Sequence, residues 1–68
     1  MNKSIMEVLT KNQDDDGKVD IIVSIAKVPE ANYAKVFITH ESKSGQSYTV
    51  HDSTDVGAAI TEYIDDYM

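Results

Sequence analysis

The last seventeen residues, Asp52-Ser-Thr-Asp-Val-Gly-Ala-Ala-Ile-Thr-Glu-Tyr-Ile-Asp-Asp-Tyr-Met68, constrain the rest of the chain most. Val56, Ala59, Ile60, Tyr63, Ile64 and Tyr67 recur at spacings of three and four, which predicts an amphipathic helix with one apolar stripe. Asp55, Glu62, Asp65 and Asp66 line its other side. Asp52 or Ser53 supplies the N-cap, and Asp55 in the first turn suits the positive end of the helix dipole. The far end breaks the same rule. Asp65 and Asp66 stand at the negative end, three and four residues after Glu62 and with no lysine nearby; each such placement costs roughly 0.3 kcal/mol from the dipole and a similar amount from like-charge neighbours. Charge kept against a folding cost is charge available to a partner.

An apolar stripe has to be buried, and a chain of 68 residues has one place to bury it. One domain, residues 1–68, is expected, near the size at which a single core barely outweighs chain entropy. Dimerisation would help it. The absence of cysteine removes disulfides and thiolate zinc sites and leaves a reducing cytoplasm as the expected compartment. No apolar run approaches the roughly 20 residues of a membrane span, and Glu7 interrupts the start where a signal peptide would be apolar.

Upstream, residues 3–11 predict a short helix with Ser4 as N-cap, Glu7 completing a capping box, and Ile5, Val8 and Leu9 on one face. After a polar turn, Val19–Val28 predicts a strand with Val19, Ile21, Val23 and Ile25 inward, closed by Pro29. Ala34–Glu41 predicts a second strand, residues 42–45 a hairpin loop turning on Gly45, and Gln46–His51 a third strand with Tyr48 and Val50 inward. The expected fold is α+β: a two-layer sandwich of three antiparallel strands with an N-terminal and a C-terminal helix on one face. The other face, with Ile22, Phe37, Thr39, Thr49 and His51, stays open unless a second copy or a partner covers it.

Twelve acids against six lysines and no arginine give a net charge of −6, which argues against direct nucleic-acid binding. The imbalance is local. Residues 1–43 hold seven acids and six lysines, whereas residues 44–68 hold five acids and no lysine. A row of carboxylates on a rigid helix can enter a basic groove that normally takes phosphates. On this reading Asp52, Asp55, Glu62, Asp65, Asp66 and Tyr67 are the partner-binding candidates, Tyr67 offering contact area at little entropic cost.

Other chemistry is poorly supported. Asn12, Asp14, Asp16, Gly17, Val19 and Asp20 fall in the register of an EF-hand calcium loop, but the first ligand is Asn and the twelfth position is Val23 where a bidentate glutamate belongs. A solvated acidic turn is the preferred reading, with no metal and no cofactor. His40 and His51 lack the convergent ligands of a metal or catalytic site. No nucleophile elbow or phosphate-cradling loop is present, so an enzyme is not expected.

The stretch Ser44-Gly-Gln-Ser-Tyr-Thr-Val-His-Asp-Ser-Thr-Asp55, followed by an acidic amphipathic helix, resembles the hairpin-then-helix segments of small phage anti-CRISPR proteins. Asp52-Ser53-Thr54 is the closest local match, and the order helix, three strands, helix is similar to that of an acidic inhibitor of Cas9. The likeness is confined to the C-terminal third. It implies a non-enzymatic inhibitor that binds a basic, nucleic-acid-binding protein of the bacterial host and blocks its nucleic-acid site. The alternatives are a structural or regulatory module that dimerises through the sheet face around Ile22 and Phe37, and a degenerate calcium loop.

Overall fold

A computed structural model describes residues 2–41 and 43–68, so Met1, and Ser42 of the expected hairpin loop, lie outside the described residues. The chain runs α1 (Ile5–Asn12), β1 (Ile21–Lys27), β2 (Ala34–His40), β3 (Gln46–Val50) and α2 (Ser53–Tyr67). The strands form one antiparallel sheet in the order β1-β2-β3. The αβββα sandwich expected from the sequence is the fold.

Each element follows from local chemistry. Ser4 caps α1, its Oγ accepting the Met6 N–H at 3.2 Å. Among the described residues this single bond replaces the expected box with Glu7. Asp14 closes the following turn, Oδ1 accepting the N–H groups of Asp16 and Lys18 at 2.8 and 3.1 Å, while Gly17 takes a φ of +79°. Pro29 ends β1 in a turn in which Ala31 N–H reaches Val28 C=O. Gly45 at φ +82° turns the second hairpin; a Cβ there would stand 2.8 Å from the carbonyl oxygen of Ile38.

The core lies where α2 crosses β2 and β3. Val36, Ile38, Val50, Ala59, Tyr63 and Met68 are buried together, and Val8 of α1 joins them. His40 is the one buried polar residue among those described, its Nδ1 2.6 Å from the Tyr63 hydroxyl and the two rings edge to face. Two bonds tie α1 to the far end of α2: Lys3 N–H to Asp65 Oδ1 at 2.9 Å, and Asn12 Nδ2–H to Met68 C=O at 3.1 Å.

Three expectations about burial need correction. Ile5 is 61% exposed, leaving Val8 as the side chain that buries α1 in the core. Val23 and Ile25 do face the same way as Val36 and Ile38, yet they are 36% and 59% exposed. Strand β1 is also shorter than the expected Val19–Val28. The cause is coverage: α2 lies over β2 and β3, and α1, an eight-residue helix about 12 Å long, does not roof β1.

Candidate partner-binding surface

Helix α2 carries the acidic candidates, and its first turn explains two of them. Asp52 Oδ1 accepts the N–H groups of Thr54 and Asp55 at 3.0 and 3.3 Å, and Asp55 Oδ2 accepts those of His51 and Asp52 at 2.8 and 3.3 Å. This reciprocal box fixes the chain reversal from β3 into α2. The backbone bonds from His51 and then Asp52 hold the Asp55 carboxyl below the ordinary carboxylate range. A group depressed on folding stabilises the fold above its unfolded pKa and loses that contribution as pH falls through its folded value. The stability advantage of wild type over Asp55→Asn, followed in thermal melts, is therefore expected to shrink on acidification. An advantage constant from neutral pH into acid would contradict this.

Asp65 is also engaged, half-buried and accepting from Lys3 N–H. Glu62 and Asp66 are exposed, and Tyr67 is 49% exposed with its ring 5.2 Å from that of Tyr63. The six candidates thus divide. Asp52, Asp55 and Asp65 shape the backbone; Glu62, Asp66 and Tyr67 face solvent in the last two turns of α2. Among the described residues the hydrogen bonds accepted by these carboxylates come from backbone N–H groups and none from a lysine ammonium.

Asp55, Glu62 and Asp66, spaced seven and four apart, run as one line along the α2 flank that borders the β3 edge. Shallow depressions lie on either side of Glu62, one of ≈ 360 Å³ against Tyr48 and His51 and one of ≈ 510 Å³ against Asp65 and Asp66. Tyr48 was not anticipated as part of this surface. Alternation correctly turns it toward the helix layer, but on a five-residue edge strand its ring reaches only the margin. Partial burial, then the charges of Glu62, Tyr67 and Asp66, push its phenol pKa up. Glu62→Gln is expected to bring the Tyr48 phenol down in an ultraviolet titration referenced to Tyr48→Phe; an unmoved Tyr48 would place the two groups apart.

Such a surface can accept hydrogen bonds from ammonium and guanidinium groups, and its phenol rings can lie against the aliphatic stems of those side chains. The calcium candidates do not assemble. Asn12 donates to Val8 C=O and Met68 C=O, and Asp14 caps its own turn. Asp20 is exposed and directly precedes the strand that begins at Ile21. Among the described residues no three His, Cys, Asp or Glu side chains stand together as a metal site. His40 is engaged with Tyr63, and His51 is exposed beside the Tyr33 ring. Among the described residues no helix is long and apolar enough to cross a membrane. Comparison with protein-family models, with curated proteins and with solved structures finds no match to the chain.

Proposed function

We propose that this protein is a non-enzymatic binder that occupies the phosphate-binding groove of a basic, nucleic-acid-binding protein and competes there with nucleic acid. The observation that supports it is the pair Glu62 and Asp66. Both are exposed in a helix whose last turn carries no cation to balance the dipole. Asp66, in the last turn, costs about 0.3–1 kcal/mol against the dipole, and Glu62, four residues earlier, adds like-charge repulsion of roughly 0.2–0.5 kcal/mol. A guanidinium or ammonium brought by a partner relieves that repulsion, and its net attraction to the carboxylates is strongest where they stay partly hydrated and escape the full cost of desolvation. Tyr67 and Tyr48 border the carboxylates with flat, partly exposed area of the kind that anchors interfaces.

A phage-type inhibitor of a bacterial defence effector, as the resemblance of residues 44–68 implies, is the specific form of this reading. The experiment is capture from a bacterial lysate on the immobilised full chain at low and high salt. The expected catch is a nucleic-acid-binding protein that added DNA displaces and that high salt releases. Capture indifferent to both salt and DNA would overturn the reading.

A further inference from the structure

The sheet has two edges, and they are built differently. The β3 edge is five residues long and polar, with Gln46, Ser47 and Thr49 exposed and Lys35 Nζ bonded across to Thr49 Oγ1 at 2.7 Å. The β1 edge is seven residues long, Ile-Ile-Val-Ser-Ile-Ala-Lys, and pairs with β2 residue for residue from Ile21↔His40 to Lys27↔Ala34. It contains no proline and no bulge, and its single charge is the terminal Lys27. These are the devices by which edge strands avoid pairing. Exposed apolar side chains stand on both of its faces, Ile22 at 58% on one and Ile25 at 59% on the other. A partner on the open sheet face would cover Ile22 and leave Ile25 in water. Only a partner approaching in the plane of the sheet touches both.

We infer that β1 pairs antiparallel with β1 of a second copy, joining two sheets into one of six strands. A two-fold axis at Ser24 pairs the whole strand, setting Val23 against Ile25, Ile22 against Ala26 and Ile21 against Lys27, with no like charges opposed. The open surface fits. One copy exposes 4918 Å², against about 4,200 Å² for a compact monomer of 7.5 kDa. Its radius of gyration is 13.2 Å, against about 11 Å for a compact chain of this length. One copy thus leaves more surface open than a compact chain of its size, and part of the excess is the apolar surface of β1. Charge is compatible as well: the Glu62–Asp66 flank borders β3, so the acidic surfaces lie at the outer edges of the pair, away from the seam.

Two measurements test this on the full chain. Sedimentation equilibrium is expected to give a dimer for wild type and a monomer for Ile22→Lys/Ile25→Lys, with unchanged circular dichroism, because both side chains are already exposed in one copy. The chain has no cysteine, and opposed residues of an antiparallel pair lie about 4.5–5.5 Å apart, within disulfide reach. Ser24→Cys is therefore expected to oxidise to a covalent dimer much faster than Ser47→Cys on β3. A wild-type monomer, a dimer that survives the double lysine variant, or equal oxidation of the two cysteine variants would overturn the inference. A β1 reserved for a strand of another protein would appear as the first of these.

Discussion

Ile38→Ala will cost the fold about 2–5 kcal/mol, the range for emptying a fully buried aliphatic site. Ile38 is 1% exposed at the centre of β2, the middle strand, with β1 on one side, β3 on the other and α2 above. At roughly 0.05–0.15 kcal/mol per residue the whole domain has only about 3–10 kcal/mol to lose, so the variant forfeits between about a fifth of its stability and all of it. Ile5→Ala is the matched control, being the same change at a side chain that the structure leaves in water; it should stay within about 0.5 kcal/mol of wild type. Denaturant unfolding of the three proteins at one fixed concentration checks this. Similar losses at the two positions would mean that the core does not lie between α2 and β2.

Tyr63→Phe is the second large effect. It removes one oxygen and almost no volume, so an apolar account of the core would make it harmless. The hydroxyl, however, is the partner of His40 Nδ1 in a site where both residues are buried. Whichever nitrogen carries the proton, the ring is left with a buried polar atom lacking a hydrogen bond, at about 1–3 kcal/mol. The control is Tyr67→Phe one turn later, where the side chain is half-exposed, and little change is expected. Equal melting temperatures for Tyr63→Phe and wild type would show that water or a rearranged ring replaces the bond. The pair also explains a histidine in the core: His40 faces the helix layer, and the tyrosine opposite makes its burial tolerable.

The helix α2 was the most legible part of the chain, because three independent signals agree there: the Asp52 cap, the three-and-four spacing from Val56 to Tyr67, and the acids on the remaining sides. The strands were legible for a similar reason. Alternation placed Val36 and Ile38 on one face and Phe37 on the other, as the register has them. Ile25, Val23 and Ile5 were misjudged because periodicity reports which way a side chain points, and says nothing of whether another element is long enough to cover it. Within the candidate surface, charge counting treated Asp52, Asp55, Glu62, Asp65 and Asp66 alike. Backbone geometry separates them: N–H groups at the helix start, and that of Lys3 near its end, claim three carboxylates and leave Glu62 and Asp66. Tyr48 lay outside the reading because an inward-pointing residue on an edge strand can reach the margin of the core and its acidic border at once.

On the proposed function, the free carboxylates at the end of α2, rather than net charge in general, hold a basic partner. The direct measurement is the dissociation constant of the captured protein for wild type, for Glu62→Gln/Asp66→Asn, and for Asp15→Asn/Asp16→Asn, both exposed in the turn before β1, each across a salt series. The two double variants remove the same charge from different places. The α2 variant is expected to bind at least about tenfold more weakly, or 1.4 kcal/mol, with a flatter salt dependence, and the turn variant to bind like wild type. Equal affinities for all three, or equal losses in the two variants, would contradict it.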